Sequence, residues 1–204
     1  MKILFATLSL SDEPLGIMYV ATVLKKLGHE VRGCMINREN FDKVVDDYKP
    51  DLIGYSGMDC ERVPILKANT EIKKKHQNIF SVIGGPLGTF SPDTIKDKDV
   101  DGVCQGEAEE AMPELIKALE NGEDITGIKN FSLKVDGKIT VNPVRPPIKD
   151  VNTIPFPDRE IFAHKKQPGG LYNVLEGRGC PYNCTYCHNK RYKEIFDLPV
   201  PTYP

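Results

Sequence analysis

Three cysteines near the end of the chain have a spacing that is suited to holding a metal cluster. Cys180, Cys184 and Cys187 stand in the pattern C-x-x-x-C-x-x-C. A loop with this spacing can place three thiolates round one face of a cubic 4Fe-4S cluster, since cysteine thiolates are the usual ligands of such clusters. The fourth iron would then have no protein ligand and could bind a small molecule. The spacing therefore predicts a reactive iron–sulfur site.

The neighbours of the cysteines fit this interpretation but leave alternatives open. Gly177 and Gly179 allow a close approach of the backbone, and Tyr186 could shield a cluster from water. The cysteines could instead hold a structural zinc ion with His188 as the fourth ligand, although its position directly after Cys187 is awkward for a tetrahedral site. They could also be thiols that bind no metal. The spacing favours the cluster over both alternatives.

The composition is typical of a globular protein that works in a reducing compartment. The chain has 204 residues, a formal net charge of −2 and 40% hydrophobic residues, which gives no electrostatic reason to expect nucleic acid binding. Its apolar runs are too short for a membrane span, and its first residues do not form a signal peptide. Cys34, Cys60 and Cys104 fall in or beside predicted strands, so we expect thiols in the cytoplasm rather than disulfides.

The first 128 residues alternate between short apolar strands and amphipathic helices. Strands are predicted at 2–7, 29–36, 51–58, 79–83 and 100–104, and helices at 15–27, 41–48, 61–76 and 107–120. This alternation indicates parallel strands joined by right-handed crossovers, with helices on both faces. The predicted fold class is α/β, with a flavodoxin-like (Rossmann-like) doubly wound sheet of five parallel strands.

A β-hairpin and a proline-rich linker are predicted to follow this domain. The hairpin, at 131–142, turns around Asp136-Gly137. We prefer a three-residue loop at 135–137, which pairs Leu133 with Ile139, over a two-residue loop at 136–137, because it keeps the apolar residues on one face. The proline-rich segment 143–170 is predicted to lie extended over a surface. Its expected anchor points are Ile154, Phe156, Ile161 and Phe162.

Glycine-rich loops follow several of the predicted strands. In an open parallel sheet the ligand crevice lies at the carboxyl ends of the strands, and glycine there leaves room for a flat or bulky ligand. Glu107, Glu109 and Glu110 are expected to open a helix, where carboxylates favour the positive end of the helix dipole; Glu107 could also contact the ligand. The predicted cofactor-binding residues are Leu15, Gly16, Ser56, Gly57, Met58, Gly84, Gly85, Pro86, Gly88, Thr89, Gly106 and Glu107.

These motifs, in this order, resemble the cobalamin (B12)-binding domain and linker of the cobalamin-dependent radical S-adenosylmethionine proteins. The run from Leu175 to Pro181, together with the three cysteines, is similar to that family's cluster motif. The other matching segments are Pro-Leu-Gly at 14–16, Pro-Asp-Leu-Ile-Gly-Tyr-Ser at 50–56, Ile-Gly-Gly-Pro at 83–86, Gly-Glu-Ala-Glu at 106–109, the hairpin, and Ile-Pro-Phe-Pro-Asp-Arg at 154–159.

The resemblance implies three cofactors: cobalamin, a 4Fe-4S cluster and S-adenosylmethionine. In an intact relative the cluster would reduce S-adenosylmethionine to give a radical, and cobalamin would often pass a methyl group to the substrate, although some relatives cyclise or rearrange it instead. Pro14 stands where many cobalamin carriers have a histidine, so cobalamin is expected to bind without histidine ligation. Leu87 also replaces a histidine that is frequent in the family.

The resemblance also implies a division into three parts. Residues 1–128 would be the cobalamin-binding domain, 129–170 the hairpin and linker, and 171–204 the incomplete start of a radical S-adenosylmethionine α/β barrel whose first strand is 171–175. A barrel needs on the order of 200 residues or more. We therefore expect this chain to bind small-molecule cofactors but not to turn over a substrate without the missing barrel or a second chain.

Two other classes of function remain as alternatives at this stage. A non-catalytic binding module could use the same fold for another ligand or for a partner protein, for example as a phosphoacceptor receiver domain. The sequence lacks a lysine after the fifth strand, which a receiver would need. A zinc-stapled interaction protein could use the cysteine tail.

Overall fold

The computed structural model describes residues 1–8, 13–165, 173–175 and 177–198, which contain a seven-stranded sheet with helices on both faces. The strand order is β2-β1-β3-β4-β5-β6-β7. The strands are β1 (Lys2–Thr7), β2 (Glu30–Met35), β3 (Leu52–Ser56), β4 (Phe80–Gly84), β5 (Gly102–Cys104), β6 (Phe131–Val135) and β7 (Lys138–Val141). The helices are α1 (Leu15–Lys26), α2 (Phe41–Tyr48), α3 (Arg62–Lys75), α4 (Gly85–Phe90), α5 (Ala111–Asn121) and α6 (His188–Ile195).

The first five strands pair in parallel and confirm the predicted flavodoxin-like fold. Their side chains alternate between two apolar layers, as strands buried on both faces require. Ile3 and Phe5 of β1 pack in the layer of α1 and α5, whereas Leu4 and Ala6 pack in the layer of α2 and α3. Because the five strands run in the same direction, their carboxyl ends lie along one edge of the sheet.

The hairpin extends this sheet, and its predicted register is wrong. β6 pairs with β5 in antiparallel orientation, and Val135 pairs with Lys138, which leaves a two-residue loop at Asp136 and Gly137. Both loop residues have positive φ, +50° and +75°, as a type I′ turn requires. The prediction assumed that the apolar residues of both strands share one face. β7 is an edge strand whose Ile139 is exposed, so that constraint does not operate.

Two local predictions near the carboxyl edge are also wrong. The segment 84–89 after β4, expected to be a loop, belongs mostly to the short helix α4 (Gly85–Phe90), because Pro86 fits a first helical turn and Leu87 is buried beneath it. The predicted helix at 107–120 begins only at Ala111. Glu107 and Glu109 therefore precede α5 and do not open it. Their carboxylates have other partners, described below.

The linker packs against the α1 face of the sheet. Ile161 and Phe162 are buried in the core as predicted, whereas Phe156 is 93% exposed and does not anchor the linker through its side chain. The Phe156 carbonyl instead accepts a hydrogen bond from the Thr22 hydroxyl at 2.8 Å. Short 3₁₀ turns at Val151–Thr153 and Arg159–Lys165 interrupt the predicted extended conformation.

The predicted strand at 171–175 falls partly outside the described residues. Residues 173–175, which are described, have no strand pairing. Ser11 and Asp12, in the segment between β1 and α1, also lie outside them. Among the helices of the described part of the chain, none has the length and apolar character that a membrane crossing needs.

Candidate cofactor site

A cleft of about 490 Å³ opens at the carboxyl edge of the sheet. Its walls come from β1, β3, the start of α1, and the segments that follow β4 and β5. This is the crevice that the parallel topology predicts, and it includes the β1/β3 switch point. Eight of the twelve predicted cofactor-binding residues line it: Gly16, Ser56, Gly84, Gly85, Pro86, Thr89, Gly106 and Glu107.

Backbone forms an accessible part of the cleft wall. A Cβ atom added to Gly16 would meet nothing within 4 Å, and one added to Gly84 would meet only the Tyr55 carbonyl oxygen at 3.9 Å. Any larger side chain at these positions would therefore occupy the cleft. This wall suits a wide, flat group that approaches the backbone directly, and the residues present fit a corrin ring.

The other four predicted residues, Leu15, Gly57, Met58 and Gly88, lie beside the cleft rather than in its wall. Gly88 has a packing role, since a Cβ there would lie 2.5 Å from the Cys104 carbonyl oxygen and 2.8 Å from that of Ile83. A Cβ added to Gly57 would lie similarly close to the side chain of Ile65 on α3. A direct contact between these four residues and a cofactor stays a prediction.

Several cleft residues were not predicted from the sequence. They include Tyr19 on α1, Phe90 at the end of α4, and Cys104 at the end of β5. Burial, with a smaller contribution from the Glu109 carboxylate, raises the pKa of Cys104 to about 12. The thiol is therefore protonated at neutral pH and would not act as a thiolate ligand. Helical periodicity predicts that Tyr19 is on α1 but not that it faces a cleft.

The cysteine loop, defined here as residues 177–187, runs along the cleft and leads into α6. Gly177, Arg178 and Gly179 line the cleft. Cys184 is exposed, Cys180 and Cys187 are half-buried, and Tyr186 is 91% exposed and does not shield them. Within the described residues, no three His, Cys, Asp or Glu side chains are grouped so as to hold a metal ion. The three accessible thiols fit a cluster if the loop closes round it.

Arg178 connects the cysteine loop to the segment after β5. Its guanidinium donates to Glu107 Oε1 at 2.8 Å and also to Glu109 Oε1, and it lies 5.3 Å from the ring centroid of Tyr19. Burial alone would lower the pKa of Arg178, but its hydrogen bonds to Glu109 and Glu107 outweigh this effect and raise the pKa. The arrangement therefore keeps the guanidinium charged.

Glu107 is the centre of this polar group. Its Oε2 accepts a hydrogen bond from the backbone N–H of Ile148 in the linker at 2.5 Å. Its carbonyl oxygen accepts one from the side chain of Asn130 at 2.8 Å. Since both carboxylate oxygens already have protein partners, Glu107 joins the linker and the cysteine loop to the cleft. Its predicted contact with a cofactor is not tested by this geometry.

Helix α6 and Phe196, the residue that follows it, add two ring contacts with the same edge of the sheet. The His188 ring lies 5.6 Å from the Phe90 ring, centroid to centroid. Phe196 packs on Gly106, where an added Cβ would lie 2.4 Å from the Phe196 ring and where φ is +78°. The ammonium group of Lys193 donates to the Tyr182 carbonyl at 2.7 Å and holds the cysteine loop against α6.

Comparison with known families identifies the domain that contains this cleft. Residues 1–116 match the B12 binding domain family, and the matched region lies within the predicted first domain. The chain belongs to the B12 binding domain family. The match contains β1 to β5 and all twelve predicted cofactor-binding residues. It does not contain the cysteine loop.

Longer relatives match more of the chain than the family model does. The chain is 31% identical over 186 residues to an uncharacterised methyltransferase of Pyrococcus horikoshii, with 85% of this chain and 40% of the relative covered. It is 28% identical over 211 residues to the anaerobic magnesium-protoporphyrin IX monomethyl ester cyclase of Rubrivivax gelatinosus, with 92% and 37% covered. The chain thus spans about two fifths of the length of these relatives.

A solved structure has the same fold. The cobalamin-dependent S-adenosylmethionine radical enzyme OxsB, in complex with aqua-cobalamin and S-adenosylmethionine, superposes with a TM-score of 0.76 at 19% identity, over 91% of this chain and 28% of OxsB. The B12-binding domain described here is therefore similar in sequence to parts of a methyltransferase and of a cyclase, and it shares its fold with part of a cobalamin-dependent S-adenosylmethionine radical enzyme. These findings do not favour the receiver or the zinc-stapled alternative, and in the structure His188 packs on Phe90.

Proposed function

We propose that the cleft binds cobalamin and that Cys180, Cys184 and Cys187 hold a 4Fe-4S cluster that binds S-adenosylmethionine. In this proposal the chain is the cofactor-binding part of a longer radical S-adenosylmethionine enzyme. The observation that carries the proposal is the open backbone wall at Gly16 and Gly84, in a cleft to which the start of the cysteine loop also contributes. The two cofactors would then be neighbours.

Each part of the cleft has a distinct task in this proposal. Backbone at Gly16 and Gly84 would lie against one face of the corrin, and Ser56 and Thr89 could offer hydroxyl groups at its edge. Among the described residues that line the cleft, His188 on α6 is the only histidine, and Pro14 has no imidazole to offer cobalt. Cobalamin would therefore bind without histidine from the first loop.

The chemistry would come largely from the cofactors, while the chain binds and orients them. When bound, cobalamin supplies methyl-transfer or radical chemistry, and the cluster supplies an electron to S-adenosylmethionine. The names of the relatives support methyl transfer or cyclisation as the reaction of the longer protein. Substrate binding and turnover would require either a second chain or a further domain. The greater length of the relatives leaves room for such a domain.

The free thiol state of the cysteines supports a location in the reducing cytoplasm. None of the six cysteines, all of which lie in the described part of the chain, forms a disulfide. Exposed thiols such as Cys60 and Cys184 persist in reducing compartments.

The domain boundaries at residues 128 and 170 are also part of the proposal.

Titration with hydroxocobalamin tests the corrin site. The wild-type protein is expected to retain a red corrinoid through gel filtration. Gly16→Leu should weaken binding at least about tenfold, because the new side chain would fill the cleft without straining a helical backbone. Gly127→Leu is the matched control, since Gly127 also has open space around it but lies away from the cleft. Equal affinities of the two variants would contradict the proposed site.

Reconstitution with iron and sulfide under anaerobic conditions tests the cluster site separately. The wild-type protein should turn brown, and a variant with alanine at Cys180, Cys184 and Cys187 should stay colourless. The same variant should still bind hydroxocobalamin, because the glycine wall does not depend on these thiols. A colourless wild-type protein that carries stoichiometric zinc would support the zinc-stapled alternative instead.

A further inference from the structure

The contact between Arg178 and two carboxylates differs from an ordinary surface ion pair. Glu109 is buried, and Glu107 and Arg178 are half-buried. One guanidinium bonds two carboxylates that belong to the segment after β5. Removal of one member of such a partly desolvated group leaves the other charges without compensation. Loss of the Arg178 contacts should therefore destabilise this part of the structure more than the loss of an exposed ion pair would.

The same three residues also form part of the cleft wall. Glu107, Glu109 and Arg178 line the cleft together with Tyr192 of α6. The ion pairs thus bring residues 177–179 of the cysteine loop to the place where we propose that the corrin binds. A corrin in this cleft would contact a wall whose cysteine-loop part is joined to the segment after β5 by the Arg178 ion pairs.

We propose that Arg178 is a positioning residue that couples the cysteine loop to the corrin cleft. This inference rests on the proposed function. When Arg178 is bonded to Glu107 and Glu109, the cysteine loop is ordered and the cleft wall is complete, so loop order and corrin binding favour each other. Coupling of this kind is reciprocal: a bound corrin should order the loop by the same factor by which the ordered loop raises corrin affinity.

A matched control lies on α6. Arg191 forms an exposed ion pair with Glu194 at 2.9 Å and does not line the cleft. Arg191→Gln therefore makes the same change in charge and size as Arg178→Gln, within the same part of the chain, but removes no contact in the cleft wall. Arg178→Lys keeps the charge and loses the two-pronged geometry, so it should have an intermediate effect.

Hydrogen exchange without any cofactor tests the structural part of the inference. Arg178→Gln should increase exchange in peptides from residues 177–198, whereas Arg191→Gln should leave those outside its own helical turn unchanged. Peptides from β1 and β3 should keep the wild-type exchange rates in both variants, which shows that the domain is folded. Equal exchange of the cysteine loop in Arg178→Gln and wild type would overturn the inference.

Titration with hydroxocobalamin, without iron, tests the coupling. Arg178→Gln should bind the corrin at least about fivefold more weakly than wild type, within the usual range for coupled sites. Glu109→Gln should weaken corrin binding too. The double variant should bind no more weakly than Arg178→Gln alone, because Arg178→Gln already removes the contact with Glu109. If wild type binds and Arg178→Gln binds equally well, the coupling is wrong. If wild type does not bind, the proposed function fails and the coupling fails with it.

Discussion

Different kinds of contact hold the cysteine loop and the rim of the cleft, which is defined here as the carboxyl ends of the strands and the segments that follow them. Phe5 and Val82 belong to the core layer beneath the cleft, so the rim rests on strands that are buried on both faces. The cysteine loop is held by the Arg178 ion pairs, by one lysine–carbonyl bond and by the two ring contacts of α6. This contrast indicates that the fold preforms the glycine wall of the proposed corrin site, whereas the part of the cleft wall formed by the cysteine loop depends on the contacts of Arg178 and α6.

Thiol labelling should give the largest contrast between the two regions. Cys104 is buried and protonated at neutral pH, so it should react with iodoacetamide at least about a thousandfold more slowly than Cys184. Mass spectrometry of the labelled peptides measures both rates. Equal rates for Cys104 and Cys184 would show that the rim is no more rigid than the loop.

The exposed Cys60 provides an internal control for the same experiment. It lies in the α/β part of the chain and should react as rapidly as Cys184 in the absence of metal. Reconstitution with iron and sulfide should protect Cys180, Cys184 and Cys187 but not Cys60. Protection of all four would indicate oxidation or aggregation rather than a cluster.

Truncation of a linker anchor should produce the next largest effect. Phe162→Ala should lower the free energy of unfolding by about 3–5 kcal/mol, because the side chain is buried against β2. Phe156→Ala, in the same linker, should change it by less than about 0.5 kcal/mol, since that ring is exposed. Urea denaturation measures both. A small effect of Phe162→Ala would mean that the linker does not belong to the folded domain.

A methyl group at Gly88 should disturb the support of the rim. Gly88→Ala should lower the free energy of unfolding by about 1–3 kcal/mol, because its Cβ would press on two backbone carbonyls that cannot move freely. Gly127→Ala should be neutral or slightly stabilising, since nothing lies within 4 Å of the new atom. If the two variants are equally stable, α4 is less tightly packed on β4 and β5 than described.

The sequence predicts those parts of the molecule that depend on local pattern. Apolar runs of strand length and helical periodicity identify β1 to β5 and most of α1 to α3, and the topology then fixes which loops meet at the cleft. Eight of the twelve predicted cleft residues line it for this reason. Gly88 differs from these residues because its missing side chain allows close packing of α4 on β4 and β5 rather than an open cleft wall, and loop position alone does not distinguish the two roles.

The residues that the sequence did not predict depend on contacts between distant segments. Arg178 meets Glu107 across 71 positions of chain, and no local pattern predicts which arginine pairs with which carboxylate. The acidic run at 107–110 predicted a helix start because carboxylates favour that position. The structure uses two of these carboxylates for Arg178, and α5 begins at Ala111. The available sequence signal for this contact was the single arginine, Arg178, just before the first cysteine of the motif.

The smallest predicted effect concerns the hairpin at the far edge of the sheet, where its sign decides between two registers. Asp136 has φ +50° in the two-residue loop, so Asp136→Gly should raise the free energy of unfolding by about 0.5 kcal/mol by relieving a left-handed conformation. Asp136→Ala, the control, should lower it. In the three-residue loop that the apolar pattern favoured, position 136 is right-handed, and glycine there would be destabilising. A destabilised glycine variant in urea denaturation would therefore restore the register that the structure contradicts.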